Sequence, residues 1–451
     1  MVREKKKKTH TLLKEKKNKV KARKIWKKAL KIIPGGNGLI SKRPERFLPG
    51  LWPTYYKSSN GITIKDIEGK NFKDFAQMGF GTSTLGYKNK FIDNKVKKAI
   101  DTGITSTLNC TEEYLFAKKI LEVDKFAQQV KFAKGGGEAM AIAIRLARAY
   151  SNKDEIAFSG YHGWHDWYLA TNLQSTKNLN KHLLKGLEAK GVPSSLKQSI
   201  HPFTYGNIEE LKKIIKKRKI GTIVLEGARY DFPDRRFVKE INSICRKEKI
   251  ILIVDEITSG WRQSIGGTYK TTGFKPDIVV YGKGIANGYP ISVIVGKKNI
   301  MKESNNTFIS SSVWTEKIGF VAGIASIDFF KQKKVDKHIL KIGNLIKKNW
   351  IRLAKKNDLN IKTNNFVSLC SFFFQYGKLN DKLYTFFSQE MLKYNYIANN
   401  SVYVSYAHKE KDVKKYLYFC EKVFKRISKA IKDKKIGLRG KARTMSFKRL
   451  N

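Results

Sequence analysis

The residue pair with the clearest chemical use is Asp255 and Lys283, 28 positions apart. Each closes a short apolar run. ILIVDEITSG begins at Ile251 and breaks at Asp255 and Glu256; PDIVVYGKG begins at Pro276 and ends in a loop carrying Lys283. Runs of this kind, apolar on both faces and bounded by turn residues, read as buried strands of a parallel sheet. Ligands in open α/β sheets sit beyond the carboxyl ends of such strands. The chain is therefore expected to bring a carboxylate and an amine to one rim. An amine there can form a Schiff base with an aldehyde, and the acid can keep a ring nitrogen protonated. Pyridoxal phosphate uses both. Taken singly, Asp255 serves equally well as a turn cap and Lys283 as one more surface lysine; the pairing carries the chemistry.

A second motif is KFAKGGGEAMAIAIRLARAY, where a strand gives way to Gly135, Gly136 and Gly137 and a helix opens at Glu138. Glycines let the backbone approach an anion, and the free N–H groups and positive end of the helix bind it. The same glycines would also suit a tight strand-to-helix turn. In FSGYHGWHDWY, His162, His165 and Asp166 invite a metal reading, but no third strong ligand accompanies them and no metal is expected. Tyr161 is the ring best placed to stack on a flat cofactor.

The elements that must position these groups follow from periodicity. Between about 129 and 330, strands VKFA, EIAF, GTIVLE, IILIVD, DIVVY and ISVIVG alternate with helices at 138–150, 207–218, 236–248 and 316–331, as a parallel sheet with crossover helices requires. Upstream, 3–31 reads as a lysine-rich helix with Leu12, Leu13, Val20, Ile25, Trp26 and Leu30 as sparse apolar points. An irregular stretch over 32–60 follows, and GITIKDIEGKNFKDF alternates as a hairpin. Helices are expected near 89–102 and 112–124, then 335–356 and 410–432, with strands around 366–375 and 401–406. The expected class is α/β: a basic tail (1–33), an N-terminal segment (34–88), a large domain (89–335) and an α+β small domain (336–451).

Charge and cysteine content bound the setting. The net charge is +53, yet lysine exceeds arginine about fourfold and is spread along the whole chain, often beside Asn and Ile. Specific nucleic-acid sites favour arginine's planar fork, so no specific nucleic-acid partner is expected; the charge would still attract anionic metabolites. No apolar run approaches the roughly 20 residues of a membrane span. The basic start MVREKKKKTH lacks the apolar core of a secretory signal, and the four scattered cysteines show no metal or disulfide spacing. A cytoplasmic setting is expected.

Taken in order, the glycine turn before Glu-Ala, then Tyr-His-Gly, Asp-Glu and Gly-Lys, resemble the class-III aminotransferases, pyridoxal-phosphate enzymes of fold type I. The likeness runs from PGG at 34 to SYAH at 405–408 and is densest between 130 and 330. It implies a role for each matched residue. Gly136 and Gly137, where the family has Ser-Gly-Thr, would bind the cofactor phosphate through the backbone, without the hydroxyl. Tyr161 and His162 would lie at the cofactor, Tyr161 covering one ring face and Ile257 the other. Asp255 would pair with the pyridine nitrogen and Lys283 would carry the Schiff base. Ser312 of SSSVWTEKIG falls where a family threonine reaches the neighbouring subunit's phosphate, which implies a homodimer with shared sites. Glu226 matches the acid of a Glu-Pro pair, with Gly227 in place of the proline.

The resemblance implies an aminotransferase moving an amino group between an amino donor and a carbonyl acceptor. The alternative within the family is glutamate-1-semialdehyde aminomutase, which returns the amine to the same molecule. There a Ser and an Arg after PGG hold the substrate carboxylate; here the matching positions are Leu39 and Lys42, with Ser41 and Arg43 adjacent, and the family's tryptophan in the next glycine-rich loop is Phe80. A lysine does not reproduce arginine's bidentate grip. The aminotransferase reading is therefore favoured, with a sugar or small hydroxylated metabolite as substrate. A third reading, a basic nucleic-acid binder on an inactive scaffold, predicts salt-sensitive binding independent of Lys283.

Overall fold

The computed structural model describes residues 21–183, 185–228, 231–445 and 447. Its strands, in chain order, are β1 (Tyr56–Asn60), β2 (Thr63–Asp66), β3 (Asn71–Phe75), β4 (Gln129–Ala133), β5 (Glu155–Ser159), β6 (Ile200–Pro202), β7 (Ile220–Glu226), β8 (Ile251–Asp255), β9 (Ile278–Tyr281), β10 (Ser292–Gly296), β11 (Ile361–Thr363), β12 (Leu369–Phe374), β13 (Tyr396–Ala398) and β14 (Ser401–Tyr403). The central sheet has the order β4-β10-β9-β8-β7-β5-β6. Every residue of β7, β8, β9 and β10 is buried. Alternate side chains enter two different cores: Leu252, Val254, Val279 and Tyr281 join one, Ile251, Ile253, Ile278 and Val280 the other. Helix Gly136–Ser151 covers the second face through Met140, Ile144 and Leu146, and helices Ile208–Lys217 and Arg235–Lys247 cover the first. Burial on both faces explains why these strands read as unbroken apolar runs; each buried Ile, Leu or Val contributes about 1.5–3 kcal/mol of transfer free energy.

One strand corrects the sequence reading. ISVIVG, expected as another strand of a parallel sheet, forms β10, which runs antiparallel to both β9 and β4. Only residues 282–291 separate β9 from β10, ten positions carrying a single 3-10 turn. A parallel return needs a crossover of a dozen or more residues, so the chain must double back. The edge strand β6, which ends in Pro202 and pairs only with β5, gave no strand signal.

The expected hairpin forms as β2 and β3, with β1 added on its outer edge. β13 then pairs parallel with β3, Tyr396 opposite Lys73, so the N-terminal hairpin and the C-terminal region share one sheet. β11, β12 and β14 make a third, antiparallel sheet. Residues 21–32 are helical, and the Trp26 ring packs beneath Gly36. Leu12, Leu13 and Val20 lie outside the described residues. Among the described residues no helix is long and apolar enough to cross a membrane.

The two acids that end β8 part company. Asp255 reaches the rim, whereas Glu256 turns into the core, fully buried, and accepts from Ser259 Oγ (2.6 Å), Thr268 Oγ1 (2.9 Å) and the Tyr269 N–H (2.8 Å). Burial pushes its carboxyl up to about 7. The folded state therefore holds a proton that the unfolded chain releases near its ordinary carboxyl value, so this group's contribution to stability is greatest in acid and falls as pH rises toward 7. Glu256→Gln is expected to remove about 3 kcal/mol of that fall. Urea unfolding of both proteins at pH 5 and pH 8 checks it; parallel pH dependences would reject it.

Candidate active site

The loops at the carboxyl ends of β5, β8 and β9, the start of the reversed β10, and the opening of helix Gly136–Ser151 surround a cavity of about 350 Å³. Gly136, Gly137, Tyr161, His162, Asp255, Ile257 and Lys283 all line it. The strand ends fix the acid. Asp255 Oδ1 accepts from the Ile257 N–H at 2.9 Å, and Oδ2 lies 2.8 Å from His162 Nδ1. The other nitrogen of that imidazole is 3.2 Å from the Ser159 carbonyl, and the ring is wedged among Phe158, Trp167 and Tyr168. His162 is thus an orienting group for Asp255 within a packed aromatic cluster. Among the described residues no group of His, Cys, Asp or Glu is arranged to hold a metal ion.

Lys283 opens the 3-10 turn Lys283–Ala286 with φ at 44°, a left-handed conformation that is costly for a residue with a Cβ. Its ammonium donates to Thr258 Oγ1 at 2.7 Å. Burial, then the Arg262 guanidinium, hold its pKa below the usual lysine range, against the opposing pull of Asp255 and Glu226. Such a lysine sheds its proton more readily and is the better nucleophile.

The opposite wall is the glycine turn. Gly135 is the N-cap, and the Glu138 carboxylate accepts from the Lys134 and Gly135 N–H groups at 2.9 and 3.1 Å. The next N–H groups, at Gly136 and Gly137, open the helix with no intrahelical acceptor. A Cβ on Gly136 would stand 3.0 Å from Ile257 Cδ1, and one on Gly137 would stand 2.9 Å from His165 Nδ1. Gly163, at φ 109°, closes the turn from outside: a Cβ there would lie 2.8 Å from Gly137 Cα. The third glycine, where a hydroxyl residue stands in the resembled family, is therefore dictated by the loop packed against it. Gly163→Ala is expected to destabilise the fold by about 1–3 kcal/mol and to loosen anion binding at the turn. Thermal melts with and without pyridoxal phosphate check this, and an unchanged melt with unchanged ligand shift would reject it.

The remaining residues singled out from the sequence lie off the cavity wall. Glu226 ends β7 in register with Asp255 and accepts from the Tyr161 N–H at 3.2 Å, so it braces the loop bearing the aromatic ring. Phe80 sits in a left-handed turn at φ 60°. Lys42 is exposed on the turn Ile40–Lys42, and Ser312 is exposed at the start of the turn Ser312–Thr315. Among the cavity-lining residues that escaped the sequence reading are Thr258, the lysine's hydroxyl partner, and Lys134, whose ammonium pairs with Glu316 at 2.6 Å. Thr258 follows Asp255 by three positions in the same strand-end loop, which was the available signal. A larger depression of about 1190 Å³ at the other end of the strands is strongly basic, lined by Lys153, Arg246, Lys249 and Lys275; the one acid among its lining residues, Asp277, is paired with Lys297 at 2.7 Å.

The family model for aminotransferase class-III matches residues 50–366. The chain is 31% identical over 321 residues to a 3-aminobutyryl-CoA aminotransferase of Cloacimonas acidaminovorans, covering 69% of this chain and 73% of that protein. It is 29% identical over 430 residues to a glutamate-1-semialdehyde 2,1-aminomutase of Campylobacter hominis, covering 90% and 94%. Among solved structures, the PLP-bound FumI protein of Sphingopyxis sp. MTA144 superposes with a TM-score of 0.81 at 20% identity, covering 91% and 97%. An omega-transaminase from Sphaerobacter thermophilus does so at 0.80 and 17%, covering 90% and 98%; both likenesses speak to fold alone. The motifs around Asp255 and Lys283 fall inside the matched span, and the chain belongs to the class-III aminotransferase family.

Proposed function

We propose that this enzyme is a pyridoxal-phosphate-dependent aminotransferase in which Lys283 and Asp255 work on opposite sides of one cofactor. The observation that carries the reading is their convergence, with the Gly136–Gly137 turn, on one cavity of about 350 Å³. The residues present fit the group. The helix opening offers backbone N–H donors to a phosphate, and Ile257 packed on Gly136 makes an apolar floor facing Tyr161.

When bound, pyridoxal phosphate supplies an aldehyde and an electron-accepting ring. The protein supplies the rest. The Asp255 carboxylate, aligned by His162 and the Ile257 N–H, would favour positive charge at the ring nitrogen. Lys283 Nζ would hold and move the proton at the substrate carbon, as base and then acid. Tyr161 and Ile257 keep water from the ring faces. Ser312 would reach the phosphate site of a second copy. Supporting a homodimer, the segments at 104–110 and 308–317 lie together and expose Leu108 (81%), Phe308 (85%) and Val313 (58%). Light scattering should return twice the chain mass.

The relatives named as aminomutases support a second reading, intramolecular amino transfer. Lys42, at the position of the carboxylate-holding arginine, points away from it: the residue is exposed and off the cavity wall. The test is a donor–acceptor screen on purified protein beside glutamate 1-semialdehyde alone. Turnover that needs an added carbonyl acceptor supports the aminotransferase; product from the semialdehyde without one overturns it.

A further inference from the structure

Arg262 is 1% exposed, and among the described residues no carboxylate lies within ion-pairing distance of it. A buried guanidinium without a counter-charge is costly, so its placement needs a reason. All three of its nitrogens are used. Nε donates to the Thr258 carbonyl at 2.6 Å, Nη1 to Thr84 Oγ1 at 3.2 Å and Nη2 to the Gly81 carbonyl at 2.6 Å, while the face of the fork lies 5.7 Å from the Tyr403 ring. Each contact leads toward Lys283. The Thr258 hydroxyl is the acceptor of the lysine's Nζ. Gly81 ends a run of four left-handed residues, Met78, Gly79, Phe80 and Gly81, with φ of 39°, 65°, 60° and 84°. Thr84 and Gly81 pack directly on Gly284, where a Cβ would meet Thr84 Oγ1 at 2.4 Å.

We propose that Arg262 is a positioning residue for Lys283: it fixes the Thr258 segment that receives the amine and clamps the Met78–Gly81 turn and Thr84 against the lysine's own turn. This rests on Lys283 being the reacting amine. A neutral residue with the same hydrogen bonds would position the loops but would not weigh on the lysine's charge. The guanidinium does both, since Asp255 from the end of β8 and Glu226 from the end of β7 draw the ammonium toward the charged form while burial and Arg262 oppose them. Tyr161 faces the cavity from the loop after β5, and Lys134 from the far wall is paired with Glu316. Arg262 thus offsets the two acids, and the amine keeps its nucleophilic form.

The test uses the full chain without added cofactor, so it does not depend on turnover or on the cofactor assignment. Acylation of Lys283 by acetic anhydride is followed against pH by peptide mass spectrometry. Arg262→Gln, neutral but still able to hydrogen-bond the Gly81 and Thr258 carbonyls, is expected to raise the half-labelling pH by about one unit. Arg262→Lys, which keeps the charge, should restore most of that shift. Thr258→Ala leaves the Arg262–carbonyl contact in place and removes the hydroxyl that favours the ammonium, so its midpoint should move down. In the cofactor-loaded protein the absorbance titration should shift in the same directions. A well-folded Arg262→Gln with the wild-type midpoint overturns the proposal, as do equal shifts for Gln and Lys. Should the Gln variant not fold, an unmoved midpoint in Thr258→Ala overturns it. If the midpoints shift as expected while the chain takes up no pyridoxal phosphate, the cofactor reading fails and the positioning role stands.

Discussion

Lys283→Ala is expected to lower transamination by about 10³- to 10⁴-fold, with the cofactor still held by the glycine turn and Asp255 but no longer bonded to the protein. The alanine removes the proposed proton carrier at the substrate carbon. It also removes the group that Thr258 and Arg262 are arranged around, so nothing else in the cavity takes over: Lys134 is committed to Glu316 on the far wall. Two measurements separate this from a folding defect. Denatured and borohydride-treated wild-type protein should retain the cofactor's absorbance on the Lys283 peptide, and the variant should not. Methylamine added to the variant should recover part of the rate, since a small amine can enter the space vacated by the side chain. A variant with wild-type turnover would reject Lys283 as the reacting amine.

Asp255→Asn is the second large effect, a fall of about 10²–10³-fold in turnover. The substitution keeps the size of the side chain and an oxygen for the Ile257 N–H at its present 2.9 Å. What it removes is a full negative charge on a side chain that is itself buried, where charge acts strongly. The fall should appear in turnover more than in cofactor affinity, because the proposed phosphate contacts lie elsewhere, at the turn of Gly136 and Gly137. His162→Phe should give a smaller loss of the same kind, through the freed orientation of Asp255 Oδ2. Equal losses for a charge-preserving Asp255→Glu and for Asp255→Asn would mean that position, not charge, is what matters there.

Residues at strand ends and turns were readable from the sequence because their signals are local. Asp255, Lys283, Gly136 and Gly137 each interrupt a strong periodic pattern, and helices such as Val335–Lys356 and Glu410–Lys432 carry a clear apolar stripe. Helix Asn380–Lys393 was missed for the converse reason. It buries every residue from Leu383 to Met391, including Thr385, Ser388, Gln389 and Glu390, so it shows no polar face; Glu390 is made tolerable by Lys393 and Arg426. Arg262 was invisible as well, since its partners Gly81 and Thr84 lie about 180 positions away in the chain. The direction of β10 was in principle legible from the ten-residue connection, had length been weighed against the crossover rule.

That reversed strand has a consequence for how the enzyme fails. The chain leaving Lys283 returns at once into β10, hydrogen-bonded beside β9 and flanked by β4. Both ends of the lysine's short span are pinned in the interior of the sheet, and the span cannot peel away without parting strands at the centre of the molecule. Deuterium exchange should find it among the slowest-opening amides. Heat inactivation should then track global melting, with no earlier loss from local fraying around the reactive amine.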